Sequence, residues 1–112
     1  MRNIYFFQPQ YAVDYRKEKN YWLPYSIGCL WSYCNQYQDI QENYVLADIV
    51  FKRESHDDIL ARLDNPVVCA FSCYQWNKNY NLTLAEKIKK QWPECSIVFG
   101  GPEVTIYFES LN

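Results

Sequence analysis

Five cysteines and one histidine are the side chains of this 112-residue chain best suited to bind a metal or act as nucleophiles. Cys69-x-x-x-Cys73-x-x-Trp76 carries two thiols at the spacing of a three-cysteine iron–sulfur pattern, with Trp where the third thiol would stand. Two thiolates do not complete a cluster site. Both also fall in an apolar run that reads as a strand, so Cys69 is expected in the core. Cys29 and Cys34 lie five apart on a predicted helix and do not share a face well. With one histidine in the chain to complete it, a zinc site on either pair is not expected. His56 follows Ser55 beside Asp57 and Asp58 at a predicted helix start, an exposed setting. One imidazole leaves no room for a wider Ser/His/Asp set, and no serine sits in a nucleophile elbow. No Gly-x-Gly-x-x-Gly follows the first apolar run, and there is no Walker A run. The chain alone therefore predicts neither a catalytic residue nor a metal site.

What remains is the chemistry of holding a large ligand. Phe71-Ser72-Cys73-Tyr74-Gln75-Trp76-Asn77 and Phe99-Gly100-Gly101-Pro102-Glu103-Val104 each follow a β-like apolar run, Val67 to Ala70 and Ser96 to Val98. Each sits where a buried parallel strand would end. Ligands of open α/β sheets bind outside the carboxyl ends of the strands, near the switch in strand order. Glycines and small residues there let a ligand approach the backbone. Gly100-Gly101-Pro102 is a tight turn in its plain reading. Ser72 and Asn77 at the end of the neighbouring run extend it into a polar cleft of low bulk.

Those runs need elements to position them. Asn3 to Phe7 reads as a first strand, continuous enough in apolarity to be covered on both faces. Gln8 to Trp22 is a long polar and aromatic loop, of a length that is usually functional or disordered. Pro24 suits a first helical turn, and Ile27, Leu30, Trp31 and Cys34 follow at helical spacing through about Gln36. Tyr44 to Phe51 is a second strand. Ser55 and Asp58 form an approximate capping box for a short helix with Ile59, Leu60 and Leu63 inside. Asn65-Pro66 breaks the chain before a third strand, Val67 to Ser72. Asn81 is expected to cap a helix over Leu82 to Gln91, with Leu84, Ala85, Ile88 and Trp92 inward, and Pro93 stops it. Ser96 to Phe99 is a fourth strand.

The alternation predicts an α/β domain: a flavodoxin-like (Rossmann-like) parallel sheet of order 2-1-3-4, with helices on both faces and right-handed crossovers. Residues 1–104 make this domain. The tail, residues 105–112, is a fifth strand, an arm on a neighbour or a free end. A complete fold of this class carries a fifth strand and helix, so a truncated domain is expected.

Bulk properties exclude several classes of function. A net charge of −2 disfavours nucleic acid or an anionic membrane as a partner held by bulk electrostatics. No apolar run reaches the ~18 residues of a membrane span, and Ile4 to Phe7 is too short for a signal-peptide core. Cysteines in apolar runs without a secretion signal point to a cytoplasmic, reducing setting, where the sequon Asn81-Leu82-Thr83 carries no meaning. Eleven tyrosines and four tryptophans exceed what a small sheet can hide, which points to a ligand wall or an interface, a homo-oligomer among the choices.

Val67-Val68-x-x-Phe71-Ser72-x-Tyr74-x-Trp76-Asn77, Leu84-Ala85-x-x-Ile88-Lys89, Pro93, and Ile97-Val98-Phe99-Gly100-Gly101-Pro102-Glu103-Val104 resemble the cobalamin (B12)-binding domain of B12-dependent radical SAM proteins. Leu23 to Leu30 resembles that family's first helix start, so the resemblance spans about residues 3 to 104. It implies a corrin lying over the carboxyl edge of the sheet, with its nucleotide tail in the cleft beside strands one, three and four. Ser72 would bond the tail, and Gly100 and Gly101 would leave room for it, with Asn77 and Pro102 at the same edge. Tyr74, Gln75 and Trp76 would lie under or beside the ring. Gln8, Pro9, Tyr11, Tyr15, Tyr21 and Trp22 would border it.

Cobalamin domains that ligate cobalt carry Asp-x-His-x-x-Gly after strand one, whereas this chain has Gln8-Pro9-Gln10-Tyr11. The resemblance thus implies a cobalamin that is base-off and free of a protein His. S-adenosylmethionine and the [4Fe-4S] cluster would belong to a radical SAM catalytic domain, in cis or in trans. Together they imply a methyltransferase or related radical enzyme, of which this chain is the N-terminal part. The competing reading is a flavodoxin-like interaction module that has lost its ligand. A flavin or nucleotide site at this edge is disfavoured, since no phosphate-cradling loop follows strand one.

Overall fold

Four β-rich runs, separated by segments of helical period, fold as that alternation dictates. The computed structural model describes residues 1–9 and 25–103. The order is β1 (Arg2–Phe7), α1 (Tyr25–Cys34), α2 (Gln38–Asn43), β2 (Tyr44–Val50), α3 (His56–Arg62), β3 (Pro66–Ser72), α4 (Lys78–Gln91) and β4 (Ser96–Gly100). The strands form one parallel sheet of order β2-β1-β3-β4, as the sequence predicts for a flavodoxin-like fold. The long loop beyond Pro9 and the tail from Val104 lie outside the described residues.

Register decides which side chains face which helices. Phe7 aligns with Phe71, and Phe71 with Phe99. Side chains on a strand alternate between faces, so one face carries Phe7, Phe71 and Phe99 and the other Phe6, Ala70 and Val98. Phe7 and Phe71 stack at 4.5 Å, and Phe99 lies 5.6 Å beyond Phe71. This ladder joins Ile59 of α3 and Leu63 at its C-cap with Leu84, Ala85 and Ile88 of α4 in the core. The opposite face carries α1, where Ile27 is buried and Trp31 meets Phe6 edge-on at 6.5 Å. Parallel crossovers of one hand put the leftward step on one face and the rightward steps on the other.

That second face is only part-covered among the described residues. Val98 of β4 is 50% exposed and Leu30 of α1 is 60% exposed. Leu30, expected on the inner side of α1, hangs over open space instead. The hydrophobic layer is therefore thick on the α3/α4 side and thin on the α1 side.

One local expectation is corrected, and one helix was not foreseen. Helix α4 begins at Lys78, one turn before the expected cap, and Asn81 is buried inside it. A hydrogen bond to the end of β3, described below, outweighs its capping preference. Helix α2 has no buried residue and so no apolar stripe to read. It is held locally, by Gln38 Nε2 to Glu42 Oε1 at 2.8 Å and Asn43 Nδ2 to the Asp39 carbonyl at 2.8 Å. Ser55 caps α3 as expected, its Oγ accepting from the Asp58 amide at 3.2 Å.

Truncating Phe71 removes a ring packed on both neighbours, so Phe71→Ala is expected to lower unfolding free energy by about 4 kcal/mol. Val98→Ala, on the open face, is expected to change it by less than about 1 kcal/mol. Urea denaturation of the two variants checks the asymmetry of the two faces.

Candidate functional site

The site is built where β3 and β4 end. Cys73, just past β3, donates its amide to the Gly100 carbonyl at 2.7 Å and accepts from the Glu103 amide at 3.3 Å. Gly101 turns the chain between them with φ of +100°, a conformation open to glycine. A Cβ there would stand 2.7 Å from the Cys73 carbonyl oxygen and 2.9 Å from its nitrogen. Gly100 differs, because a Cβ on it meets no atom within 4 Å. Gly101 is held by the turn, whereas Gly100 faces space.

That space is a cleft of about 150 Å³ between α1 and the sheet. Its floor is Ala70, Phe71 and Ser72 of β3 with Val98, Gly100 and Gly101 of β4 and its turn. Phe6 of β1 and Ile27 and Leu30 of α1 form the other wall. The lining is almost wholly apolar. An apolar cavity of similar volume in another protein admits a benzene-sized ring. The cleft suits a flat aromatic group and is too small for a macrocycle.

Past Ser72, the turn after β3 presents an aromatic platform. Tyr74 and Trp76 stack at 4.8 Å with ring planes 2° apart, and Trp76 is 45% exposed. Gln75 between them is exposed. Asn77, fully buried, holds the turn. Its Oδ1 accepts from the Tyr74 amide at 2.8 Å, and its Nδ2 donates to the carbonyls of Ser72 at 3.1 Å and Pro9 at 3.3 Å. Asn81, one turn along α4, donates to the same Ser72 carbonyl at 3.3 Å and contacts Cys73 Sγ at 3.4 Å. Its Oδ1 has no hydrogen-bond partner.

The sequence-predicted residues thus divide by position. Ser72, Gly100 and Gly101 line the cleft. Tyr74 and Trp76 form the platform. Asn77 turns its amide inward on backbone groups. Pro9 is buried against Asn77, while Gln8 is half-buried with an unpartnered Oε1 and donates its amide to the Val50 carbonyl at 2.9 Å. Pro102 is exposed on the far turn. Tyr11, Tyr15, Tyr21 and Trp22 lie outside the described residues. Sequence reasoning missed the apolar walls at Phe6, Ala70 and Val98, although their odd-and-even spacing from Phe7, Phe71 and Phe99 carries that signal. It also missed Arg53, whose guanidinium donates to the Trp76 carbonyl at 3.0 Å.

The thiols and the imidazole stand apart from this chemistry. Cys69 and Cys95 are buried with sulfurs 3.7 Å apart, and desolvation raises the pKa of both and of Cys73. They are protonated core groups. No group of three or more His, Cys, Asp or Glu could hold a metal ion among the described residues. His56 is half-buried, not exposed as expected: its ring packs 4.5 Å from Tyr80, and Lys87 Nζ sits 3.2 Å from its Nδ1. Among the described residues, no helix is long and apolar enough to cross a membrane.

Comparison with known proteins finds two methyltransferase relatives. No family model matches the chain. The 2-(S-pantetheinyl)-carbapenam-3-carboxylate methyltransferase of Streptantibioticus cattleyicolor is 32% identical over 82 residues. The cobalamin-dependent radical SAM methyltransferase TokK of Streptomyces tokunonensis is also 32% identical over 82 residues. Both matches cover 73% of this chain, which spans 12% of either relative's length.

Asn77→Ala leaves the Tyr74 amide and Pro9 carbonyl without their partner, and is expected to destabilise the fold by about 2–3 kcal/mol. Asn81→Leu removes an amide whose oxygen is already unpartnered and leaves Ser72 bonded to Asn77, so a smaller loss is expected in the same denaturant titration. His56 has its pKa lowered by burial and then by Lys87. The unfolded chain therefore takes up a proton that the folded ring resists. Stability is expected to fall as pH drops below about 6.5, the ordinary imidazole value. His56→Phe, which keeps a ring on Tyr80, should flatten that shallow acid loss when unfolding midpoints are compared across pH.

Proposed function

We propose that this chain is a cobalamin-binding module serving a radical SAM methyltransferase, with no protein histidine on cobalt. The observation that carries the reading is the open apolar cleft at the carboxyl ends of β1, β3 and β4, with an exposed aromatic pair on the turn that leaves β3. The cleft suits the flat base of a nucleotide tail, and the platform suits the face of a ring too large to enter. Gly100 supplies the vacancy and Ser72 a hydroxyl at the rim. Tyr74, Gln75 and Trp76 bear on the ring's lower face, and Gln8 borders it, with Pro9 buried beneath. Asn77, Gly101 and Pro102 fix the backbone beneath. The two methyltransferase relatives, one cobalamin-dependent, support the same reading.

When bound, cobalamin supplies a carrier for the transferred methyl group. The chain's own residues do the holding: they desolvate the tail, keep the ring flat against one edge and offer no imidazole beside it. Gln8-Pro9 stands where a ligating loop would begin, and His56 is turned into Tyr80 and Lys87. S-adenosylmethionine and the [4Fe-4S] cluster belong, on this reading, to a catalytic domain in cis or in trans.

Purified protein mixed with hydroxocobalamin is expected to keep a base-off visible spectrum after desalting. Gly100→Phe should fold normally, since its Cβ enters open space, yet lose the colour. Gly101→Ala should instead reduce stability by about 1–3 kcal/mol, the range for strained backbone. A folded wild-type sample that emerges colourless sinks the proposal and favours an interaction module.

A further inference from the structure

An exposed aromatic pair on a short turn bears a ligand well only if its backbone is fixed, because fixing it on binding would consume affinity. Asn77 fixes one end of the Tyr74–Trp76 turn. The other end of the problem is the carbonyl of Trp76, whose direction sets the peptide plane that carries the indole. That carbonyl accepts from Arg53 at 3.0 Å, a residue reaching across from the loop between β2 and α3. We propose that Arg53 is a positioning residue for the Tyr74–Trp76 platform. The inference rests on reading that platform as the bearing surface for a flat ligand.

Arg53 is itself held. Its guanidinium lies 4.9 Å over the Tyr80 ring. The Tyr80 hydroxyl donates to the Glu54 carbonyl in the same loop, and His56 packs on the same Tyr80 ring at 4.5 Å. A planar guanidinium can stack on an aromatic face and donate in its own plane together; a tetrahedral ammonium cannot. The contact also completes a circuit. β2 and β3 flank β1 on opposite sides. The Gln8 amide ties the end of β1 to Val50 at the end of β2, and the Pro9 carbonyl ties it to Asn77 past β3. Arg53 links the loop after β2 directly to the turn after β3. Three loops at the ligand edge are thereby bound into one frame, with the platform on it.

The test compares Arg53→Met with wild type, using Trp76→Phe to identify the near-ultraviolet circular dichroism band of the stacked pair. Arg53→Met is expected to keep its far-ultraviolet spectrum, lose that band without any ligand, and retain hydroxocobalamin about tenfold less tightly, the effect of one charge-assisted hydrogen bond. An unchanged band together with wild-type affinity overturns the positioning role. A purely structural role predicts a lowered melting temperature with band and affinity intact, and that outcome overturns it too. If wild type takes up no hydroxocobalamin while Arg53→Met still loses the band, the positioning role stands and the cobalamin reading falls. Should Arg53→Met fail to fold, Arg53→Gln, which is too short to reach the carbonyl, is judged by the same band and affinity.

Discussion

One buried amide, that of Asn77, joins the end of the sheet to the surface that could meet a ligand. It bonds the Tyr74 amide, the Ser72 carbonyl and the Pro9 carbonyl, so it touches two strand ends and the turn between β3 and α4. Buried polar groups cost free energy unless satisfied, and a satisfied network specifies one arrangement. The end of β3 therefore cannot move relative to the end of β1 without orphaning backbone groups. With Asn81 on the same Ser72 carbonyl, α4 is docked against that end as well. Cleft and platform inherit their shape from this junction.

The asymmetry of the two sheet faces follows from how apolar volume is distributed. Leu84, Ile88, Ile59 and the Phe7–Phe71–Phe99 ladder fill one face. The other receives Ile27 and Trp31 over β1 and leaves Val98 and Leu30 open. Stability can thus be concentrated on the α3/α4 side while the α1 side keeps a vacancy. Ala70 and Gly100 are small where Phe71 and Phe99 are large, and that alternation along two neighbouring strands makes a slot without thinning the core.

Much of this was legible in the residues, and the parts that were not have physical reasons. Strand order followed from four β-like runs alternating with helical periods, because handed crossovers leave few ways to connect them. Ser72, Gly100 and Gly101 were legible as cleft residues because small residues after an apolar run have few other uses. Asn81 misled because a helix cap and a buried helical amide share one side chain, and only the neighbouring strand end tells them apart. Helix α2 was invisible because it buries nothing. Arg53 gave no signal, since a lone arginine in a loop acquires meaning only from the carbonyl it reaches. The two glycines read alike in sequence and differ in space: one is set by a positive φ against Cys73, the other by emptiness.

The size of the cleft constrains any ligand more tightly than its lining does. About 150 Å³ matches one flat ring system. A larger ligand must then be split, with a small apolar part inside and its bulk outside over Tyr74 and Trp76. Such a ligand would leave its outer face uncovered by the described residues. On the cobalamin reading this division has a use: the slot gives affinity through a group far from the reactive centre, while the exposed face stays free for a second domain to close over. On that reading, a module of this kind would hold its ligand from below and from one edge, and the chemistry would fall to whatever faces it.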